Sequence, residues 1–481
     1  MSTPESGERK VIPIQSVADD RTAANAPPQF EESKKLYPRS VEGVFARWRW
    51  GMVFLTQMVF YGIPWLQWGG RQAVLFDLES RRFFLFGLVL YPQDLIYLTG
   101  LLVISALSLF LFTAVAGRLW CGYSCPQTVY SELFMWMERK TEGDRAARMR
   151  LDNGPWNWNK VWRKSAKQVM WVSVALWTGF TFVGYFTPIL TLTNELRTLN
   201  FGPWEWFWVL FYSAATYGNA GFLREKICLH MCPYARFQSA MFDRDTLIVT
   251  YDKERGEPRG ARSKKADPAT LNLGDCVDCT LCVQVCPTGI DIRNGLQYQC
   301  IGCGACADVC DTVMEKIGKP KGLVRYSTEN ALEHHWSGRE VLAHVLRPRV
   351  LVYGGIILAI TIGMFVSLTL RIPFKVDVVR DRGVMARIAE GGNYENVYRV
   401  QIMNASEKMQ HYTMRASGIE GISVSPATPI QVEPAQSRWV VVQLQASPDK
   451  APAGTTKVEL EVLLDGTQHK LVEKTVFMTP R

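Results

Sequence analysis

Eight cysteines form two runs of nearly identical spacing, and the spacing itself indicates their chemistry. The runs are Cys276-x2-Cys279-x2-Cys282-x3-Cys286, followed by Pro287, and Cys300-x2-Cys303-x2-Cys306-x3-Cys310. Bacterial-type ferredoxins hold two iron–sulfur clusters at this spacing, and the fourth cysteine of each run ligates the cluster of the other run. We therefore expect two [4Fe-4S] clusters that carry single electrons. Their ligand sets are Cys276, Cys279, Cys282 and Cys310 for the first cluster, and Cys286, Cys300, Cys303 and Cys306 for the second.

Two details of these runs bear on the assignment. The fourth cysteine of each run is expected to open a short helix. Pro287 fits the ferredoxin pattern, whereas Asp311 stands where a proline usually follows the second run. Paired CxxC units also build structural zinc sites. Zinc needs only four ligands per site and seldom uses three cysteines at successive x2 intervals, so the pattern favours iron–sulfur clusters.

The other four cysteines form a second constellation of two CxxxCP motifs, CGYSCP and CLHMCP. Within each motif the cysteines are four residues apart, so on a helix both sulfurs would share one face. The following proline marks a turn or a helix start. Two matched copies predict one site built from Cys121, Cys125, Cys228 and Cys232.

Thiolates in that site would select a soft ion such as copper(I), or an iron–sulfur cluster. Cysteines can also serve as small buried hydrophobic residues, but two copies of one spacing at matched positions argue against that role. A disulfide does not suit a reducing compartment. His230 and Met231 are neighbours that could assist, although each alone is better explained by packing or surface exposure.

Five apolar segments could position these motifs, and each is long enough to span a bilayer. They are residues 50–68, 94–116, 168–190, 204–222 and 350–370. The CxxxCP motifs follow the second and fourth segments, which places both at the same side. The run Phe83 to Leu90 is too short to span, and we expect it to lie at the surface or to re-enter the membrane.

Lysine and arginine in the flanks predict the orientation. The stretch between the second and third segments is rich in basic residues, whereas the stretch between the third and fourth holds only Arg197. The N-terminus and the ferredoxin runs are therefore predicted in the cytoplasm. Five spans place the C-terminus in the periplasm of a bacterial inner (cytoplasmic) membrane. Four basic residues after the last segment locally oppose this last step: Arg371, Lys375, Arg380 and Arg382.

From about residue 376 the pattern changes to alternation with period two. Residues 397–402, 439–444 and 458–462 are predicted strands, and turns are predicted at Ser417-Gly418 and Asp465-Gly466. Roughly seven short strands indicate an immunoglobulin-like β-sandwich. The predicted layout is a disordered tail (1–35), a four-helix membrane domain with both CxxxCP motifs (36–235), a cytoplasmic ferredoxin domain (236–349), a fifth transmembrane helix (350–370) and a periplasmic immunoglobulin-like domain (371–481).

Composition excludes several classes of function. The formal charge of +9 concentrates beside the apolar segments, which indicates membrane topology and predicts no nucleic-acid partner. The predicted spans contain no histidine, so the axial ligand pairs of a b-type haem are missing. The sequence holds no Walker A motif and no glycine-rich dinucleotide fingerprint. All twelve cysteines lie between Cys121 and Cys310, which fits a reducing compartment for that part of the chain.

The order of these features carries a family resemblance. The motifs WCGYSCPQ at 120–127 and CLHMCP at 228–233, then the double ferredoxin run, one span and a β-sandwich, resemble the cytochrome c oxidase accessory proteins CcoG, FixG and RdxA. Related CxxxCP pairs occur in the membrane ferredoxins NapH and NosR, which lack the sandwich. The resemblance covers nearly the whole chain after residue 35.

The resemblance implies a cupric reductase that converts copper(II) to copper(I) on the cytoplasmic side for assembly of a cbb-type oxidase. Its implied partners are copper ion, oxidase assembly factors or subunits, a cytoplasmic electron donor and the lipid bilayer. Two other functions fit the same residues. One is an electron conduit to a membrane partner with a third cluster at the CxxxCP cysteines, and the other is a non-enzymatic assembly scaffold.

Overall fold

The structure is a computed structural model that describes residues 35–262, 272–381, 386–389 and 391–479. The predicted tail 1–35 lies outside the described residues, except for Lys35. The α-helices of the described residues are α1 Val44–Gly62, α2 Leu95–Ala116, α3 Leu119–Tyr123, α4 Pro126–Glu142, α5 Arg145–Asn153, α6 Trp158–Val183, α7 Ile189–Thr198, α8 Pro203–Gly218, α9 Pro233–Met241, α10 Lys253–Gly256, α11 Leu281–Val285, α12 Ala305–Lys316, α13 Glu329–Glu333, α14 Gly338–Ala343 and α15 Pro348–Thr369.

Single π-helical turns occupy Asn219–Leu223 and Ile227–Met231. The strands of the described residues are β1 Gln67–Trp68, β2 Arg71–Gln72, β3 Val74–Asp77, β4 Arg82–Leu85, β5 Leu88–Leu90, β6 Ile248–Tyr251, β7 Val324–Ser327, β8 Phe374–Arg380, β9 Arg387–Ile388, β10 Tyr394–Asn404, β11 Gln410–Ser417, β12 Ser423–Ser425, β13 Ile430–Val432, β14 Ser437–Ala446, β15 Thr455–Leu464 and β16 Lys470–Met478.

A helix lies at each of the five predicted spans, although some ends differ. The helix at the predicted span 50–68 is α1, which already ends at Gly62, and the helix at 168–190 is α6, which ends at Val183. Among the described helices, two are long and apolar enough to cross a membrane, Pro92–Ala116 and Pro348–Thr369. The other three spans stay predictions.

The two long apolar helices, α2 and α15, pack against each other. The Tyr97 hydroxyl lies 2.9 Å from the Ser367 hydroxyl, and a Cβ on Gly100 would lie 2.5 Å from Sδ of Met364. A glycine at this crossing therefore lets the two helices approach closely. Because α2 leads toward the first CxxxCP motif and α15 leads away from the ferredoxin runs, the pair joins the cysteine-rich part to the C-terminal sandwich.

The run Phe83 to Leu90, which the sequence marks as too short to span, is built from strands. It forms β4 and β5 of a three-stranded antiparallel sheet with order β3-β4-β5. Phe84 and Val89 are buried against Met403 of the sandwich. Short strands suit this position because one face of the small sheet is covered by the sandwich.

The C-terminal segment is a sandwich of two antiparallel sheets, as predicted. One sheet has the order β12-β14-β10-β8, with β9 beside β10, and the other has the order β13-β11-β15-β16. Inward residues such as Tyr398, Val400 and Leu460 are fully buried, which explains the period-two pattern. The predicted turns at Ser417-Gly418 and Asp465-Gly466 fall between strands.

An ion pair accounts for basic residues at the start of the sandwich. The Asp94 side chain, which is 2% exposed, accepts a charged hydrogen bond from Arg371 at 2.5 Å and lies 3.4 Å from Nζ of Lys375. Two of the four basic residues that oppose the predicted orientation are therefore paired with a carboxylate from the start of α2. Of the other two, Arg382 lies outside the described residues.

The ferredoxin segment is built on β6, β7, α11 and α12, and it docks on helix ends. Strands β6 and β7 pair antiparallel. Asp308 of α12 accepts from the backbone N–H groups of Phe45 and Ala46, at 3.1 and 2.7 Å, and so caps the start of α1. Thr246 and Arg347 donate to the Ala114 carbonyl at the end of α2. These bonds satisfy helix-end groups that have no partner within their own helix.

Candidate functional site

The first predicted ligand set lines one cavity of the ferredoxin segment. Apolar residues such as Leu281, Met314 and Leu323 form much of the remaining wall. The structure thus brings together the four cysteines that the spacing assigns to one cluster: Cys276, Cys279, Cys282 and Cys310.

The second predicted ligand set lines a neighbouring cavity. Its other walls include Val249, Ile290 and Ile292. Cys282 touches both cavities, so they share a wall. The four cysteines of the predicted set are Cys286, Cys300, Cys303 and Cys306.

A repeated backbone turn brings the sulfurs of each run together. In the first run Asp278 and Thr280 have φ values of 50° and 56°, and at the matching positions of the second run Gly302 and Gly304 have 64° and 71°. Left-handed residues on either side of the middle cysteine turn the chain sharply. The x2 spacing therefore converges on a common centre in both runs.

The fourth cysteines do not open helices, so that detail of the prediction was wrong. Cys286 follows the last residue of α11 with an extended backbone, and Cys310 lies inside α12. The departure at Asp311 has a physical reason. Helix α12 continues to Lys316, and a proline at Asp311 would break it. The Asp311 carboxylate instead accepts from the Gly322 N–H at 2.8 Å.

The chemistry of these cavities fits two iron–sulfur clusters. Burial raises the pKa of Cys282 to about 11, and it raises the pKa of Cys300 and of Cys310 to about 12. The thiols are therefore neutral at pH 7 without iron, and binding of iron would displace their protons. Four sulfurs with apolar walls in each cavity match the donor set of a [4Fe-4S] cluster.

The two CxxxCP motifs share one local shape, which differs from the predicted helical face. Cys121 lies in the short helix α3 and Cys228 in a single π-helical turn, whereas Cys125 and Cys232 have extended backbones. The next residue, Pro126 or Pro233, is the first residue of α4 or α9. Proline is favoured at that position because its missing N–H has no helical partner to lose. The sulfurs of a pair thus lie on either side of a helix break.

The two motifs face each other, since the cysteines of each motif influence the pKa of a cysteine in the other. Burial raises the pKa of Cys228 to about 12, and the other three CxxxCP cysteines raise it further. Burial likewise raises the pKa of Cys121 to about 11, with Cys125 as the next cause. The structure therefore places all four predicted residues around one region: Cys121, Cys125, Cys228 and Cys232.

Two glutamines hold this arrangement, and sequence reasoning missed both. The side-chain amide of Gln127 donates to the carbonyls of Asn219 and Arg224, at 2.9 and 3.2 Å, and so ties α4 to the turn before Cys228. The Cys121 thiol donates to Oε1 of Gln238 at 3.4 Å. Nε2 of Gln238 is buried without a partner among the described residues, which leaves a donor for a Cys121 thiolate once a metal is bound. For Gln127 the only signal in the sequence is its position directly after Cys125-Pro126.

Arg118 joins the CxxxCP site to the second ferredoxin run. Its guanidinium donates to the carbonyls of Ala235, Tyr298 and Cys300. It also lowers the pKa of Cys121 and Cys228, although burial outweighs it at both. One buried cation thus lies between the two groups of cysteines. Its only signal in the sequence is its position as a basic residue just after an apolar segment.

The two groups of cysteines are in direct contact at Gly122. A Cβ on Gly122 would lie 2.8 Å from the Gly302 carbonyl oxygen and 2.9 Å from Cα of Cys303. Only a glycine between Cys121 and Cys125 allows this approach. The Tyr326 hydroxyl donates to the same Gly302 carbonyl at 2.6 Å and lies 3.2 Å from the Tyr123 hydroxyl.

Two side chains near the second CxxxCP motif lie outside the buried site. His230 and Met231 are both exposed, so neither is directed into the buried site. Among the described residues, no three His, Cys, Asp or Glu side chains are gathered around the position of a single ion.

Comparison with known families accounts for most of the chain. A family described as "4Fe-4S binding domain" matches residues 98–142, which hold the first CxxxCP motif. A "4Fe-4S dicluster domain" matches residues 223–329, which hold the second motif and both ferredoxin runs. The IG-like fold at the C-terminus of FixG matches residues 364–480.

Three curated proteins are similar over most of their length. Nitrogen fixation protein FixG of Rhizobium meliloti is 38% identical over 83% of this chain and 82% of its own. Protein RdxB of Cereibacter sphaeroides is 38% identical over 91% of this chain and 94% of its own, and protein RdxA of the same organism is 36% identical over 91% and 95%. A crystal structure of a FixG-related protein from Vibrio parahaemolyticus covers 22% of this chain and 97% of that chain, with 24% identity and a TM-score of 0.21.

Both cysteine groups lie within iron–sulfur family matches, the sandwich lies within the FixG match, and the relatives cover at least four fifths of the chain. The chain belongs to the FixG/RdxA/RdxB family of iron–sulfur electron-transfer proteins.

Proposed function

We propose that this protein reduces copper(II) to copper(I) at the four CxxxCP cysteines, for assembly of a cbb-type cytochrome c oxidase. The observation that carries the proposal is the contact between Gly122 and the Gly302–Cys303 turn. This contact supports the proposal because it brings the first CxxxCP motif against the second ferredoxin run. Bound [4Fe-4S] clusters supply one-electron storage, and copper(II) needs one electron to become copper(I).

The residues around the site suit copper(I) as the product. Thiolates prefer copper(I) to the harder copper(II), so reduction strengthens binding at the same ligands. Arg118 supplies a positive charge close to Cys121 and Cys228, which offsets part of the charge of several thiolates on one ion. Reduction of copper(II) to copper(I) needs no proton transfer. A soluble one-electron donor in the cytoplasm would supply the electron.

The arrangement of helices supports the proposed topology. Helices α2 and α15 have 22 residues each, so each is about 33 Å long at 1.5 Å per residue, close to the thickness of a bilayer core. Their ends contact the ferredoxin segment on one side, through Arg347, and the sandwich on the other, through Asp94 and Arg371. We propose that the ferredoxin segment lies in the cytoplasm and the sandwich in the periplasm, where it would contact an oxidase subunit or assembly factor.

A specific observation favours a second candidate function. The match to a 4Fe-4S binding domain at residues 98–142 covers Cys121 and Cys125. The CxxxCP cysteines would then hold a third cluster, and the protein would conduct electrons from a soluble donor to a membrane partner.

Metal analysis separates these functions. Iron, copper and acid-labile sulfide would be measured in anaerobically purified protein and in a variant with all four CxxxCP cysteines changed to serine. About eight iron atoms in both proteins, with copper(I) formation from added copper(II) lost only in the variant, would support the reductase. About twelve iron atoms falling to about eight would support the conduit and overturn copper reduction at this site. A chelator specific for copper(I) gives the second readout.

A further inference from the structure

Arg49 is a buried cation that the proposed copper chemistry does not use. It lies on α1 and is 7% exposed, and its Nε has no hydrogen-bond partner among the described residues. A buried arginine without a full set of partners is costly unless its charge is balanced by something nearby. Its surroundings therefore indicate what the charge is for.

The surroundings of Arg49 include the second ferredoxin run. Arg49 and Cys303 line the same cavity, and so does Ile301. The buried guanidinium of Arg49 therefore lies beside a predicted cluster ligand.

Two carboxylates also face Arg49. Asp308 is committed to the backbone N–H groups of Phe45 and Ala46, where it caps α1. Glu132 of α4 lines the same cavity as Arg49 and Cys303, so its negative charge opposes that of Arg49 beside the second run.

We propose that Arg49 sets the reduction potential of the cluster held by Cys286, Cys300, Cys303 and Cys306. Reduction adds one electron to a centre that already carries the charge of four thiolates. In a buried cavity little water screens that charge, so a fixed cation nearby stabilises the reduced form and raises the potential. The proposal rests on the iron–sulfur part of the proposed function and not on copper.

The first cavity is arranged differently. Its arginine, Arg293, is paired with Asp291 at 2.7 Å and with Asp278. The two carboxylates cancel the arginine's charge, so no net cation faces the first cluster from this side. Arg49, the cation on α1, thus favours reduction of the cluster that lies against the CxxxCP site.

The test is a redox titration of the purified holoprotein without copper, in which electron paramagnetic resonance measures the reduced clusters at each potential. Arg49→Met is expected to lower one of the two midpoint potentials so that the reduced-to-oxidised ratio falls about tenfold, which is about 59 mV for one electron. Arg49→Lys keeps the charge and should leave that potential near the wild-type value. Glu132→Gln removes the opposing charge and should raise the same potential. Arg293→Met should shift only the other potential.

Two results would overturn the proposal. One is an Arg49→Met protein with both potentials unchanged. The other is an Arg49→Lys protein shifted as far as Arg49→Met, which would mean that the side chain acts through packing. If Arg49→Met does not assemble its clusters, Glu132→Gln decides, because an unchanged potential there contradicts an electrostatic role. Copper reduction is measured separately, so a failure of the copper proposal leaves these potentials informative.

Discussion

The two groups of cysteines in this protein are built in opposite ways. The eight ferredoxin cysteines lie close together in the sequence, and a turn repeated in both runs directs them into two adjoining cavities. The four CxxxCP cysteines come from two motifs more than a hundred residues apart, and they meet only because α4, α9 and the ferredoxin segment pack together. The first group depends on local structure, and the second depends on docking.

This difference predicts which changes damage which site. A change in a ferredoxin run should remove a cluster and with it the source of electrons. A change at the contact between the groups should leave both clusters in place and affect only what happens at the CxxxCP cysteines. The predictions below test this separation.

The largest effects are expected from two single substitutions, one in each group of cysteines. Cys306→Ser removes a ligand of the second cavity, so iron should fall by about four atoms and copper(I) formation should be lost. Cys125→Ser should lose copper(I) formation while iron stays at about eight atoms. Iron and sulfide analysis beside a copper(I) chelator assay checks both variants. A Cys125→Ser protein that lost the ferredoxin clusters would show that the two groups are not separable.

Gly122→Ala tests the contact itself. The added Cβ would meet backbone atoms of Gly302 and Cys303 at 2.8–2.9 Å, and backbone cannot move aside as a flexible side chain can. The expected cost is about 1–3 kcal/mol of unfolding free energy, with slower copper(I) formation and unchanged iron. Thermal unfolding and the chelator assay measure the two effects.

Gly51→Ala is the matched control for that variant. Gly51 is also helical, but a Cβ there meets nothing within 4 Å. Alanine favours a helix over glycine, so stability should be equal or higher by up to about 1 kcal/mol. A Gly51→Ala protein as impaired as Gly122→Ala would argue against the contact as the cause.

Copper(I) binding should strengthen as pH rises. Burial raises the pKa of Cys121 to about 11 and that of Cys228 to about 12, so both thiols hold their protons near pH 7. Copper(I) binds the thiolate and must displace those protons, so each proton released contributes up to about tenfold in affinity per pH unit below these values. Competition with a chelator at several pH values measures the slope. A flat profile would mean that these thiols do not bind the ion.

The smallest effect is expected at the docking of α1 on the ferredoxin segment. Asp308→Ala removes a carboxylate that caps two N–H groups of α1, which costs about 1 kcal/mol. Hydrogen exchange should speed up at Phe45 and Ala46, while iron content stays unchanged. Loss of iron instead would show that Asp308 supports the cluster cavity and does not act only at the interface.

The sequence predicted well those features that depend on near neighbours. The grouping of each ferredoxin cysteine set around one cavity follows from spacing, because the turns between Cys276 and Cys282 need only a few residues. The strands of the sandwich follow from alternation, because inward residues such as Tyr398 and Val400 recur with period two. A short apolar run carries less information, and the strands of Phe83 to Leu90 were not predicted because their buried face is covered by a distant segment.

The features that the sequence did not reveal depend on long-range packing. The extended backbone at Cys125 and Cys232 replaces a helical face, since the following proline starts a new helix. Arg118 and Gln238 become site residues only when α9 and the second ferredoxin run lie beside α3. No local pattern marks such contacts.

The most direct test of the central claim, that the ferredoxin clusters deliver electrons to copper at the CxxxCP cysteines, is a rapid-mixing experiment. Protein with its clusters reduced would be mixed anaerobically with copper(II), and cluster oxidation would be followed by absorbance and copper(I) by chelator. We expect one copper(I) to form per electron lost in the wild type, and the clusters to stay reduced in the variant carrying four CxxxCP serines. Cluster oxidation and copper(I) formation at the same rate in that variant would contradict it.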